Sequence, residues 1–198
     1  MIRAGYTIES PRTKSRTVVI ESDAETKGMG WVLEVHCAPN APSDVPEHLH
    51  LTWTETFEII SGTAHYKHNG VQKLLEAGGT FVVLPGQLHV HPWNAGSAEM
   101  VYRQTNRFQS PSADAVQDVL GVFATRAGLA RDGKVDSEGR PKNPLQLAVT
   151  LRMLNKYGGY DARMSIGMQD FLASTLGRLA ELLGYKAVYP RYVNEGVQ

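Results

Sequence analysis

His48-Leu49-His50-Leu51-Thr52-Trp53-Thr54-Glu55, closed seven residues later by Gly62, is the stretch on which the reading of this chain turns. In an extended strand, residues i and i+2 face the same way, so His48 and His50 present two imidazoles side by side. A second pair, His89 and His91, follows the turn Pro85-Gly86. All seven histidines fall between positions 36 and 91. Glu55, returned by the next strand, and an imidazole from a later strand complete a nitrogen-and-oxygen site for one divalent metal ion. Such donors suit Fe, Mn, Ni, Co, Cu or Zn and do not choose among them.

Composition bounds the rest. At 198 residues the chain has room for one domain and an appendage. Twenty Lys and Arg balance twenty Asp and Glu, so nothing suggests a nucleic-acid or anionic-membrane partner. The single cysteine, Cys37, excludes an intrachain disulfide framework and fits a reducing compartment. Residues 1–6 hold no apolar signal core, and no run approaches the roughly 18 apolar residues of a membrane span. A cytoplasmic protein with a small-molecule substrate or ligand is the expectation.

Periodicity divides the chain into a β domain, residues 1–108, and a helical extension, residues 109–198. Trp31, Leu33, Val35 and Cys37 alternate with Val32, Glu34 and His36 as a half-buried strand. Further strands are expected at 16–21, 57–60, 64–67, 71–75, 90–93 and 100–104, with Asn69-Gly70 as a hairpin turn. Thr80 to Leu84 reads as a fully buried strand. Many short strands mean a sandwich or barrel. Beyond Ser110 the period turns helical: Ser112 caps a stripe of Ala115, Val116, Val119, Leu120, Phe123 and Ala124. Asn143-Pro144 starts a second helix that Gly158-Gly159 ends, and a third runs from about Met168 to Leu183, with Gly184 after it.

These residues resemble the cupin family. Its first motif runs glycine, five residues, His-x-His, three or four residues, Glu, six residues, glycine; His48, His50, Glu55 and Gly62 match it, while Pro42 stands for the opening glycine. Its second runs glycine, five residues, Pro-x-Gly, two residues, His, three residues, Asn. Gly78, Gly86 and His89 fit one register; Gly79, Pro85 and Asn94 fit another. One extra residue between His89 and Asn94 reconciles the two. The third imidazole is thus His89 or His91, and the distance from Gly86 favours His89. The resemblance covers about residues 16–105. It implies a mainly β double-stranded β-helix, or jelly roll, with about three C-terminal helices packed on it and a metal held by His48, His50, Glu55 and His89.

The remaining candidates read more plainly. His36 lies on the polar face of its strand, His65 and His68 flank a turn, and Cys37 belongs to the core. Strand parity turns Glu58 away from Glu55. Trp53, Phe57, Tyr66 and Trp93 are expected near the metal, where aromatic walls suit an aromatic or otherwise apolar substrate. A three-imidazole, one-carboxylate set leaves coordination positions open. The leading expectation is therefore a dioxygenase on an aromatic or enol-bearing substrate. A Lewis-acid isomerase or cyclase is the alternative, followed by a non-catalytic binding protein. A homodimer is expected, because sheet edges are commonly protected by pairing.

Overall fold

The computed structural model describes residues 1–195. The last three residues of the expected 109–198 extension lie outside them.

Two antiparallel sheets face each other. One is ordered β1 (Thr7–Ser10), β2 (Ser15–Glu21), β3 (Gly30–Cys37), β10 (Met100–Phe108), β5 (Trp53–Ser61) and β8 (Thr80–Val83). The other is ordered β11 (Gly159–Asp161), β4 (His48–His50), β9 (His89–Asn94), β6 (Thr63–His68) and β7 (Val71–Glu76). Neighbours that are distant in sequence, such as β3 with β10 and β4 with β9, give the crossing connections of a jelly roll. Alternation sets the inner faces: Trp31, Leu33, Val35 and Cys37 of β3 and Phe57 and Ile59 of β5 are buried together. Burial pushes the Cys37 thiol up to about 12, so it behaves as a core group.

The motif glycine Gly62 has a local reason. It ends β5 at φ +80°, and a Cβ there would lie 3.0 Å from the Met100 Cα. The Asn69-Gly70 turn has positive φ at both residues (49° and 79°), as a two-residue hairpin requires. Thr80–Val83 departs from the fully buried strand expected of it. It is a sheet edge in which only Val83 is buried, and Val82 faces outward. A continuous apolar run cannot reveal whether a strand has a neighbour on both sides.

Asp23–Thr26 forms a short helix, α1, and five more follow the barrel: α2 (Ala113–Arg131), α3 (Pro144–Lys156), α4 (Ile166–Ser174), α5 (Leu176–Leu182) and α6 (Pro190–Asn194). Ser112 Oγ accepts from the Ala115 N–H at 3.2 Å, and Asn143 Oδ1 from Leu145 and Gln146 at 2.9 and 3.2 Å. Such caps contribute about 1 kcal/mol each. The single helix expected over 168–183 is two, broken at Thr175. The Thr175 hydroxyl bonds back to the Phe171 carbonyl at 2.7 Å, a contact that bends helices.

Val116, Val119 and Leu120 of α2 join the barrel core, and Phe123 meets Trp31 edge-on at 6.4 Å. Helices α3 and α5 form a smaller cluster against α2 through Val149, Ala180 and Val122. The extension also completes a sheet. β11 pairs with β4, Asp161 opposite His48 and Gly159 opposite His50. The Leu51 N–H adds a bond to the Gly158 carbonyl at 2.8 Å. Periodicity gave no sign of β11, three residues whose partner lies more than a hundred positions away. Among the described residues no helix is long and apolar enough to cross a membrane.

Candidate metal centre

Strand parity brings five ionisable side chains to the inside of the barrel. On β5, Trp53, Glu55 and Phe57 point inward while Glu58 is exposed. β4 lies beside β9 with His48 opposite His89, and the Gly86 N–H pins the turn after β8 to the His50 carbonyl at 2.7 Å. One ligand atom each from His48, Glu55, His89 and His91 lies within 4.8 Å of the others. His50 stands at the rim of this group, its Nε2 3.3 Å from Glu55 Oε2. The cluster thus holds three of the four expected donors, His48, Glu55 and His89, with His91 where His50 was expected and His50 beside Glu55.

The hydrogen-bond pattern fits a cation. His48 Nδ1 donates to the Pro46 carbonyl at 2.9 Å and His89 Nδ1 to that of Gln87 at 3.2 Å. Their Nε2 atoms are then unprotonated and turned inward, and His89 Nε2 is 2.7 Å from Glu55 Oε2. A lone pair facing a carboxylate oxygen is repulsive unless a proton or a cation lies between them. His50 Nδ1 is buried without a partner.

The surroundings set the charges. Burial pushes Glu55 up, but the His91 charge and the close approach of the His50, His89 and His91 rings outweigh it and hold the carboxyl well below its ordinary range. Burial lowers His48, helped by His89 and His91, and lowers His89 against the opposing pull of Glu55. His91 goes the other way: despite burial, Glu55 at 3.6 Å and Asp44 at 3.3 Å raise it to about 10.

Two neighbours escaped the sequence reading. Gln104 donates to Glu55 Oε1 and leaves Oε2 to the imidazoles. Its signal was present, since Gln104 is an amide on the inward face of β10 after Met100 and Tyr102. Asp44 lies in the loop before β4, where no period marks it.

The remaining expectations sort by face. Trp53 stacks on His50 with centroids 4.4 Å apart, and Phe57 lies 5.1 Å from His91. Tyr66 instead stacks on Phe81 at 3.9 Å, and Trp93 on His65 at 5.8 Å, so neither walls the site. The β6–β9 register explains Trp93. His65 pairs with Trp93 and Lys67 with Val90, so Tyr66 faces two residues of β9. That β-bulge absorbs the extra residue between His89 and Asn94 and turns Trp93 outward. Asn94 is buried and donates to the carbonyls of Cys37, Ala38 and Ala98. His36 contacts Glu34 at 3.1 Å on the outer face. His68 is half-buried, hydrogen-bonded to Gln87 at 3.0 Å.

His48, Glu55 and His91 form one wall of a cavity of about 90 Å³. Its other walls come from Trp31 and Trp53, from Phe123 and Arg126 of α2, from Leu151 and Leu154 of α3, and from Tyr160 of β11. A smaller cavity of about 60 Å³ adjoins it beyond His91 and Asp44.

No protein-family model matches the chain, and no curated protein matches it. Among solved structures, it is similar to a predicted oxalate decarboxylase from Thermotoga maritima, at 18% identity and a TM-score of 0.46, over 55% of this chain and 99% of the other. It is similar to an uncharacterized conserved protein with a double-stranded beta-helix domain from Klebsiella pneumoniae, at 22% identity and TM-score 0.41, over 57% and 85%. An RmlC-like cupin from Shewanella frigidimarina aligns at 17% identity and TM-score 0.40, over 53% and 83%. By its own strand order, the chain has a jelly-roll fold. Its inward cluster of imidazoles and one carboxylate fits a divalent metal.

Proposed function

We propose that this is a metal-dependent cupin of small-molecule metabolism, acting as a dioxygenase on an aromatic or enol-bearing substrate. The observation that carries the reading is the imidazole and carboxylate cluster, of which His48, Glu55 and His91 line a largely apolar cavity. His48, His50, Glu55 and His89 hold the ion in this proposal. His91 keeps its place between Asp44 and Glu55 and holds a proton beside the substrate. The Nδ1 bonds of His48 and His89 to backbone carbonyls, which turn their Nε2 atoms inward, support their part in that set. A redox-active ion supplies dioxygen activation there, whereas a redox-inert one polarises a carbonyl or enediol. Trp53 fixes the His50 ring by stacking, and the apolar side chains of α2 and α3 exclude water.

The His91–Asp44 pair supports a second reading, isomerase or cyclase chemistry, in which proton transfer is the main task. Two measurements test the proposal. Elemental analysis should find the metal lost in His50→Ala and kept in His91→Ala; the reverse result makes His91 the ligand. Fe(II)-loaded protein should take up oxygen with a substrate from an aromatic and enol panel. Turnover unchanged under strict anaerobiosis removes the dioxygenase and leaves the isomerase or cyclase.

A further inference from the structure

Among the described residues, two arginines in and beside the cavity, Arg12 and Arg126, reach only backbone carbonyls, and of the two only Arg126 lines the cavity that His48 and Glu55 face. Arg140 is committed to Asp161, Nε to Oδ2 at 2.7 Å and Nη2 to Oδ1 at 3.4 Å, and it also contacts Glu138. Arg12, in the adjoining cavity, donates to the Ser43 and Asp44 carbonyls at 2.9 Å each. Asp44 turns its carboxylate to His91. Arg126 stands apart. Its Nη2 reaches only the carbonyls of Asp44 and Gly139, at 3.3 and 3.4 Å, and among the described residues no carboxylate forms an ion pair with it. Burial disfavours its charge, and Arg12 and Arg140 add to that against the pull of Asp44 and Asp161. Arg126 is half-buried at the cavity wall, and Asp44 and Asp161 favour its charge without forming an ion pair with it, so an arriving anion would supply the direct pairing it lacks.

We propose that the cavity binds a small organic acid whose carboxylate pairs with Arg126 and whose apolar body lies against Phe123, Leu151 and Leu154. This deepens the reading of the cavity as a substrate site by naming the charge class of its occupant. A planar guanidinium matches a carboxylate through two parallel hydrogen bonds. One unmatched arginine in about 90 Å³ suits a single negative charge rather than a phosphate dianion. The walls around it are largely apolar, which selects an acid with a hydrocarbon or aromatic body. The arginine belongs to α2, so the extension supplies the anion contact and the barrel supplies the metal donors.

Benzoate and benzamide share a shape and differ in charge, which makes them the test pair. Calorimetry on the metal-loaded full chain should show benzoate binding at least about tenfold more tightly. Arg126→Gln should abolish that preference while benzamide still binds, metal content stays at the wild-type level and the protein still unfolds cooperatively. Arg126→Lys should keep part of it, because the charge remains without the planar fork. The preference should persist after the metal is stripped with chelator. A preference that survives in Arg126→Gln and vanishes on stripping assigns the carboxylate to the ion and overturns the proposal, while leaving the metal reading intact. Equal affinity for the two probes, or no binding of either, also overturns it. A wild-type chain that takes up no metal when offered it, yet whose benzoate preference depends on Arg126, upholds the proposal and removes the metal-enzyme reading.

Discussion

Strands β4, β5 and β9 and helices α2 and α3 face each other across one cavity, and they contribute to it in opposite ways. The strands bring four imidazoles and a carboxylate from within 44 consecutive positions, 48 to 91. The helices bring apolar side chains and one unmatched guanidinium, from α2 and α3 between residues 113 and 156. Chemistry is concentrated where a period-2 backbone turns alternate side chains to one face. Shape and charge selection come from elements that reach the site only by folding back. A jelly roll can therefore keep its donors while its roof is exchanged.

Removing the roof is the most drastic way to break that contrast. A chain ending at Phe108 exposes the barrel side of Val116, Val119 and Leu120's contacts and strips β4 of its β11 partner, leaving it one paired position with β9. Burial of each such side chain is worth about 1.5–3 kcal/mol, so the truncated chain should be insoluble or fail to unfold cooperatively. A soluble, cooperative 1–108 fragment that still binds metal would mean the strands build the site unaided.

Gln104→Ala probes the strands alone. The amide orients Glu55 through Oε1, and losing such an outer partner typically weakens metal binding about 10–100-fold. Metal titration by competition with a chelator reads it. An unchanged affinity would show that the imidazoles by themselves hold Glu55 in place.

The smallest effect is on pH dependence. His48 and His89 are held below their ordinary 6.5, so as pH falls below about 6.5 the unfolded chain takes up more protons and stability declines. His91, held up at about 10, contributes stability in full below about 6.5 and loses it as pH rises towards 10. Glu55 and Asp44, both held low, extend the acid decline below their ordinary 4.5 and 3.8. Denaturant melts of metal-free protein should peak near pH 6.5. Metal should flatten the part of the profile due to its imidazole ligands, which must be neutral to bind. A metal-free profile without a maximum would remove the opposed burial and pairing of these histidines.

Much of this was legible in the residues themselves. His48, His50, Glu55 and Gly62 announce their strands and turn, because strand parity and positive φ act over two or three positions. Ser112 and Asn143 announce their helix starts in the same way. The outward turn of Trp93 was hidden, because a bulge against β6 resets the parity of β9 midway. The exposed edge of β8, the pairing of β11 with β4, and the approach of Gln104 to Glu55 depend on which segments become neighbours. The imidazoles and carboxylate, and hence the class of ion they suit, were determined by the sequence. Tertiary structure alone decided that Arg126 would line the cavity without an ion-paired carboxylate, since ion pairing is set by contacts between segments far apart in the chain.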